Sequence, residues 1–194
     1  MRRTFDEVTL NRIRRRDPAA MNAFFEAFIG PVYGYLRAVV REPMLVDDLA
    51  QTAFLRLHRA LERLDPKRDP APWVFTVVVN TVRDHWRSRA HRDRGRTIAF
   101  DELWSRPDAP GEPGVEGELL RNEERAVLEA AMARLSPADR EILWLREYQE
   151  RSVSDTAGML GIQPEAVRQR HSRAVRRLGV LYRDLESRNE AERR

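Results

Sequence analysis

The chain has 194 residues, of which 42% are hydrophobic and 34% are charged, and its formal net charge is +4. This composition is typical of a folded globular protein with a highly charged surface. The absence of cysteine excludes disulfides and thiolate metal sites, and no early apolar stretch has the character of a signal peptide or a membrane span. We therefore expect a cytoplasmic protein without membrane insertion, metal or other cofactor.

Helical spacing of apolar residues extends over nearly the whole chain, and no hairpin signal separates alternating runs. Asp17 and Pro18 form an N-cap and a first-turn proline, which predicts the start of a helix. Gly30 and Pro31 predict the end of that helix and the start of another. The residues expected to be buried on the two helices are Phe24, Phe25, Phe28, Val32, Leu36 and Val39. The pattern predicts an all-helical fold.

The next helix is predicted between Val46 and Leu61, where apolar residues recur at intervals of three and four. Its opposite face carries two acids beside polar side chains and one leucine. On an exposed helix face, this set favours a protein-binding surface over a site with paired catalytic carboxylates. The residues of this face are Asp47, Asp48, Gln51, Thr52 and Leu55.

A proline-bounded loop over residues 65–71 precedes a long helix that we expect to start at Pro72 and to end near Arg92. Its valines are expected to pack inward with Trp86, whereas the polar face points outward. Residues 83–96 hold six Arg against two Asp, and such a basic face suits a DNA strand that has been opened. The candidate contacts to DNA on this segment are Trp73, Asn80, Arg83, Asp84 and Arg87.

Residues 93–118 are predicted to be a flexible connector, because the periodicity fades and prolines and glycines become frequent. The connector is acidic, since the stretch from Asp101 to Glu118 holds six acids and a single arginine. We therefore predict two small helical domains, residues 1–92 and 119–194, on either side of it. In the second domain, a stripe of Val127, Leu128, Ala131, Met132 and Leu135 is expected before a new N-cap at Ser136.

The segment from Ser152 to Leu178 has the pattern of a helix-turn-helix. Gly161 is placed to end the first helix in the left-handed conformation, and Pro164 starts the second. Residues 163–178 hold five Arg against one Glu, which suits a recognition helix in a DNA major groove. His171 is expected on the core side rather than as a metal ligand. The candidate DNA contacts are Gln163, Glu165, Arg168, Gln169, Ser172, Arg173 and Arg176.

No arrangement of residues in the sequence predicts catalysis. The four histidines are scattered, cysteine is absent, and there is neither a glycine-rich phosphate loop nor a nucleophile elbow. We therefore do not expect an enzyme.

Four segments, in this order, resemble the extracytoplasmic-function sigma factors of bacterial RNA polymerase. DDLAQTAFLRLHRAL is similar to their polymerase-docking helix, and PWVFTVVVNTVRDHWR to their −10 element helix. LSPADREILWL is similar to the helix that leads into their second domain, and AVRQRHSRAVRRL to their −35 recognition helix. The resemblance extends from about Ala19 to Leu178, and the sequence departs from the family pattern at Gly158 and His171.

The resemblance implies that Asp48, Gln51 and their neighbours dock on the β′ clamp helices of core RNA polymerase. It implies that Asn80, Asp84 and the preceding loop help to capture unpaired bases of the −10 element. The second domain would rest against the β flap and place Arg168, Gln169, Ser172 and Arg173 in the major groove of the −35 element. Core polymerase, promoter DNA and an anti-sigma factor are the partners that the family leads us to expect.

Two other hypotheses stay open on the sequence alone. The chain could be a stand-alone transcription regulator, with an N-terminal helical sensing domain and a helix-turn-helix that binds duplex DNA without polymerase. It could also be a helical adaptor protein without a DNA function.

Overall fold

The computed structural model describes residues 5–92 and 122–192, and every regular element in these ranges is helical. The first block consists of α1 (Glu7–Arg14), α2 (Pro18–Val39), α3 (Pro43–Ala60), a short 3-10 turn (Leu61–Arg63) and α4 (Pro70–Arg92). The second block consists of α5 (Asn122–Ala133), α6 (Pro137–Leu143), a π-helical turn (Trp144–Tyr148), α7 (Val153–Leu160) and α8 (Pro164–Glu192). The prediction of an all-helical fold is confirmed. The predicted acidic connector lies outside the described residues.

Two aspartates cap the first two helices. The Asp6 carboxylate accepts the Thr9 backbone N–H at 2.7 Å, and the Asp17 carboxylate accepts that of Ala20 at 2.9 Å. Hydrogen bonds from the Thr9 side chain and then from its backbone N–H lower the pKa of Asp6, and the one from the Ala20 N–H lowers the pKa of Asp17. The cap at Asp17, which the sequence predicts, is therefore confirmed.

The predicted break at Gly30 and Pro31 is wrong, because α2 continues without interruption from Pro18 to Val39. A proline inside a helix costs about 3 kcal/mol. The second half of α2 nevertheless buries Val32, Leu36 and Val39 in the core, and each such side chain contributes roughly 1.5–3 kcal/mol. Burial of one continuous apolar stripe therefore outweighs the local preference for a break.

The helix that carries the basic face begins slightly earlier than predicted. α4 starts at Pro70 rather than Pro72, and the Asp69 carboxylate accepts the Ala71 backbone N–H at 3.2 Å. Asp69 therefore occupies the N-cap position, and Pro70 follows it in the first turn of the helix. This pair lies just upstream of the predicted start. The inward face of α4 is buried as expected, with Val74, Val78 and Val82 fully enclosed.

The helix-turn-helix is confirmed in detail. The Ser152 hydroxyl caps α7 by accepting the Asp155 N–H at 3.0 Å, and Gly161 ends this helix in the left-handed conformation with φ 63°. Gly161 is the one position of the turn that requires a residue without a Cβ. Ser136 likewise caps α6. α8 then continues well beyond the motif to Glu192.

The two blocks pack against each other and share one core, in which α2 contacts α6 and α4 contacts α7. In the second block Val127, Ala131 and Leu135 are buried as predicted. Leu128 departs from the predicted stripe, since 43% of its surface is exposed where it lines a groove between the blocks. No described helix is long and apolar enough to cross a membrane.

Candidate nucleic-acid interface

The outward face of α8 in the helix-turn-helix is polar and exposed. Its inward face is fixed because Val167 and Ala174 are fully buried. The opposite side forms a shallow patch that is lined by Glu165, Arg168, Gln169, Ser172 and Arg173. Gln163 and Arg176 are exposed at either end of this patch. The structure thus brings five of the seven predicted residues to one accessible patch, and the other two are also exposed.

Glu165 organises the first turn of this patch. Its carboxylate accepts a hydrogen bond from the Arg168 guanidinium at 2.9 Å and contacts the Gln169 amide at 3.5 Å. Exposed ion pairs of this kind contribute little to stability. Their effect is to hold the arginine and glutamine heads side by side, where both can reach base edges.

Contacts at the back of α8 orient the helix. His171 Nε2 lies 2.5 Å from Glu147 Oε1, and the Arg177 guanidinium donates to the Asp139 carboxylate. The imidazole is three-quarters enclosed, with 24% of its side chain exposed. The expectation that His171 faces the core side is therefore confirmed, with an acid of the second block as its partner.

The predicted DNA face of α4 is only partly exposed. Asn80 and Arg87 point to solvent, and Asp84 accepts a hydrogen bond from the Arg56 guanidinium at 2.7 Å. Arg56 also donates to the Thr81 hydroxyl at 3.3 Å, so an α3 side chain fixes the position of this acid. Trp73 is half-buried against the core near the start of the helix.

Arg83 was expected to face outward, and the structure corrects this expectation. Its guanidinium donates to the Leu160 carbonyl at 2.5 Å and to the Glu141 carboxylate at 3.0 Å, and only 13% of the side chain is exposed. Both partners belong to the second block, which packs on this side of α4. The periodicity of α4 assigned Arg83 to a solvent-facing stripe. A pattern within one helix carries no information about a second domain that packs on it.

The candidate protein-binding face of α3 is accessible throughout. Asp47, Asp48, Gln51 and Thr52 are exposed, and Leu55 has 51% of its surface in contact with solvent. Partial burial, followed by the negative charge of Asp47, raises the pKa of the Tyr33 hydroxyl beside this face. The structure brings the five predicted residues together on one acidic, hydrogen-bonding surface with an apolar side chain at its edge.

Three arginines that were not among the predicted DNA contacts lie next to Asn80. Arg56, Arg59 and Arg63 line a groove between α3 and α4, and its other walls are Ala60, Val77 and Asn80. Their spacing of three and four residues places them on one face that runs from the end of α3 into the 3-10 turn, and this was the signal that could have identified them. Guanidinium groups around a small apolar floor suit the phosphates and bases of a single strand.

In the described part of the chain, no group of three or more potential metal ligands lies close together. The exposed faces carry hydrogen-bond donors and cations, and the face of α3 is acidic. Such an arrangement can bind nucleic acid and protein.

Comparison with known proteins agrees with this geometry. The Sigma-70 region 2 model matches residues 24–92, and the Sigma-70, region 4 model matches residues 125–178. The RNA polymerase sigma-E factor of Streptomyces antibioticus is 31% identical over 152 residues, which cover 77% of this chain and 78% of the relative. The chain belongs to the sigma-70 family of RNA polymerase sigma factors.

Further relatives include a sigma factor of the extracytoplasmic-function group. The ECF RNA polymerase sigma factor BldN of Streptomyces coelicolor is 28% identical over 176 residues, or 90% of this chain and 65% of BldN. The solved structure of CnrH in complex with the cytosolic domain of CnrY covers 91% of this chain and 96% of its own, with a TM-score of 0.61 and 22% identity. That likeness shows a shared fold.

The family settles the class of function that the sequence left open. Region 2 and region 4 together support binding to core RNA polymerase and promoter-specific initiation at −10 and −35 elements. A stand-alone regulator with a sensing domain is not favoured, because the N-terminal block matches region 2. Sigma factors are initiation factors rather than catalysts.

Proposed function

We propose that this sigma factor docks on core polymerase through the exposed face of α3 and reads promoter DNA with α4 and α8. The observation that carries the proposal is the accessibility of the α3 and α8 faces: each has an outward polar surface opposite a buried stripe. The protein would act inside the cell, where promoter DNA and polymerase are found.

At the −35 element, the patch on α8 would enter the major groove. Arg168 and Arg173 can make two-point contacts with guanine or hold phosphates, and Gln169 can pair with adenine. Glu165 orients the first of these arginines, and its remaining acceptor capacity suits the amino group of cytosine. Gln163 and Arg176 lie at the ends of the patch and would contact the DNA backbone, as would the Ser172 hydroxyl within it.

At the −10 element, Asn80 would read an unpaired base. The groove beside it combines an apolar floor at Val77 with the guanidinium groups of Arg56, Arg59 and Arg63. A base would lie against the floor while the arginines hold the adjoining phosphates. Asp84 is oriented by Arg56, whereas Trp73 and Arg87 flank the track of the strand.

The α3 face would bind the β′ clamp helices of core polymerase. Asp47 and Asp48 supply charge, Gln51 and Thr52 supply hydrogen bonds, and Leu55 supplies an apolar contact. Charge complementarity of this type steers association and fixes orientation. The second block would rest against the β flap.

An anti-sigma factor is a further proposed partner. The solved structures of CnrH with CnrY and of RpoE with the anti-sigma factor NepR from Bartonella quintana concern such pairs. In the present chain, a groove between the blocks is lined by Leu128, Met132 and Tyr148, and Tyr148 is 71% exposed. An exposed apolar groove of this kind supports the proposal of a protein ligand.

Gel-shift titration of promoter fragments, with and without core polymerase, tests these assignments. We expect weak binding of the free protein and tight binding of its complex with polymerase. Arg168→Ala should weaken binding by about 1–3 kcal/mol on the preferred −35 sequence and should lose discrimination at one base pair. Arg188→Ala is the matched control, because this exposed arginine lies on the same helix beyond the motif. Tight promoter binding without polymerase would contradict the proposal.

A further inference from the structure

A run of three arginines, Arg14 to Arg16, ends the first helix and lies outside the surfaces proposed for DNA and polymerase. All three side chains are exposed. Cations stabilise the C-terminal end of a helix, and this accounts for Arg14 in the last turn of α1. It does not account for Arg16, which follows the helix.

The backbone conformation of Arg16 is unusual. Its φ is 61°, in the left-handed region that the Cβ of an ordinary residue disfavours. The Arg16 N–H donates to the Ile13 carbonyl at 2.9 Å, and the Asp17 N–H donates to the Arg12 carbonyl at 3.1 Å. This pair of hydrogen bonds forms the Schellman motif, in which glycine usually occupies the left-handed position. An arginine is therefore kept where glycine would fit with less strain, and such a residue points to a function of its side chain.

Contacts of the arginine run place the end of α1 beside the 3-10 turn. Arg14 Nε donates to the Glu62 carbonyl at 3.4 Å, and the Arg16 guanidinium pairs with the Glu62 carboxylate at 3.3 Å. The next residue along the chain is Arg63, whose Cα lies about 3.8 Å from that of Glu62. Because Arg63 lines the groove between α3 and α4, the arginine run adjoins that groove at its Arg63 end.

The combined surface carries more positive charge than its neighbours neutralise. Residues 14–16 and 59–63 hold five arginines and one acid, and that acid is already paired with an arginine of the run. Within the described part of the chain, the guanidinium groups of Arg15, Arg59 and Arg63 form no ion pair or hydrogen bond. Exposed guanidinium groups in such a row attract a ligand that carries several negative charges.

A single DNA strand is the polyanion that fits this row. The groove beside Asn80 suits an opened strand, because it combines an apolar floor at Val77 with arginines along one wall. Each nucleotide brings one phosphate, so a strand that leaves the groove past Arg63 carries its next phosphates toward the end of α1. The arginine run therefore lies where the strand would continue.

We propose that the arginine run extends the groove into a track for DNA backbone phosphates that lie beyond the −10 bases. Arg15, whose guanidinium is unpaired, contacts a phosphate, and Arg14 holds the run against the 3-10 turn. Arg16 neutralises Glu62, which would otherwise repel the strand. The track rests on the proposed reading of an opened −10 strand by the groove. It adds affinity without sequence preference, since phosphate contacts carry no base information.

Strand binding by the complex of the full chain with core polymerase tests the track. The probes are fluorescein-labelled single-stranded oligonucleotides: one is limited to the −10 bases of a transcribed promoter, and two are extended by a few nucleotides at the 5′ or the 3′ end. Anisotropy titrations over a range of salt concentrations give the affinity and its salt dependence for each probe. With the wild-type protein, one of the two extensions should raise the affinity and steepen the logarithmic salt slope by roughly 0.7 for each added phosphate contact.

Arg15→Ala should remove this gain and lower the salt slope by roughly 0.7 on the extended probe, while the short probe is bound as by the wild-type protein. Arg15→Lys should keep the gain, because a phosphate contact needs a cation but not the planar fork of arginine. Arg188→Ala is the matched control, since it removes the same charge from an exposed position of α8. Its salt slope should equal that of the wild-type protein on all three probes.

Arg16→Gly separates strand binding from folding. Glycine suits the left-handed position, so the urea midpoint should stay the same or rise. The extended probe should nevertheless bind less tightly, because the charge of Glu62 then faces the strand without its partner. A lower urea midpoint would overturn the strain assigned to Arg16, and unchanged binding would overturn its role beside the strand.

An Arg15→Ala variant that binds the extended probe like the wild-type protein would overturn the track. An equal loss on the short and extended probes would also overturn it, because Arg15 would then act within the −10 groove. Weaker binding of the variant to core polymerase without DNA would make the run a protein contact and would likewise overturn the track. Absence of strand binding by the wild-type complex would refute the proposed reading of the −10 strand itself, on which the track depends.

Discussion

Replacement of Arg140 by methionine tests whether the interface between the blocks stabilises the fold. The guanidinium makes three hydrogen bonds of 2.6, 2.9 and 2.6 Å to backbone carbonyls, and the residue is only 4% exposed. Hydrogen bonds to a charged group contribute about 1.5–3 kcal/mol each. Part of this free energy is recovered when water binds the carbonyls that Arg140 leaves, and the methionine side chain keeps most of the packing contacts. We therefore expect a loss of about 3–5 kcal/mol in the free energy of unfolding.

Urea denaturation followed by far-ultraviolet circular dichroism measures this loss. Arg125→Met is the control, because Arg125 belongs to an exposed pair with 74% of its side chain in solvent. Its replacement should change the free energy of unfolding by less than about 0.5 kcal/mol. A loss below about 1 kcal/mol for Arg140→Met would refute the account of a stabilising interface.

Three further predictions concern stability and DNA binding. Gly158→Ala should raise the free energy of unfolding by up to about 1 kcal/mol, because a Cβ there meets nothing within 4 Å; destabilisation on urea titration would contradict this. Arg59→Ala combined with Arg63→Ala should reduce the salt dependence of −10 strand binding by the polymerase complex, with the logarithmic slope falling by roughly 0.7 for each phosphate that is no longer neutralised. An unchanged slope would exclude these arginines from the strand. Burial is the main cause that raises the pKa of the Tyr35 hydroxyl well above its ordinary value of 10.0, and the charge of Glu141 is the next. The unfolded chain therefore loses this proton first, so the free energy of unfolding should fall as the pH rises above 10.0. Tyr35→Phe should flatten the alkaline fall in urea midpoint, and an equally steep fall in this variant would contradict the prediction.

Local signals were sufficient to predict the helix ends that depend on neighbouring residues. Ser136 and Gly161 cap their helices as expected, because capping is decided by hydrogen bonds within one turn. The same reasoning failed at Pro31, where burial of distant side chains outweighs the local cost. Neighbouring residues therefore predict helix caps better than they predict where a helix is interrupted.

The predicted surfaces likewise fall into those that depend on one helix alone and those that depend on contacts between helices. The exposed face of α8 and the acidic face of α3 follow from periodicity, since each lies opposite a buried stripe of its own helix. Arg83 differs from expectation because the second block packs against the first, and periodicity within one helix does not report such a contact. Leu128 differs in the opposite sense, because the groove between the blocks leaves it exposed. Spacing along the chain places Arg56, Arg59 and Arg63 on one face, but their position opposite Asn80 depends on how α3 crosses α4, which the pattern within either helix does not indicate.

Transcription in vitro with purified core polymerase and a library of genomic fragments tests the central claim most directly. The wild-type protein should direct transcripts from a restricted set of promoters with shared −10 and −35 sequences. Asp48→Arg on the α3 face should abolish these transcripts while the helical circular dichroism is preserved. Absence of promoter-specific transcripts with the wild-type protein, or full activity of the Asp48→Arg variant, would contradict the account.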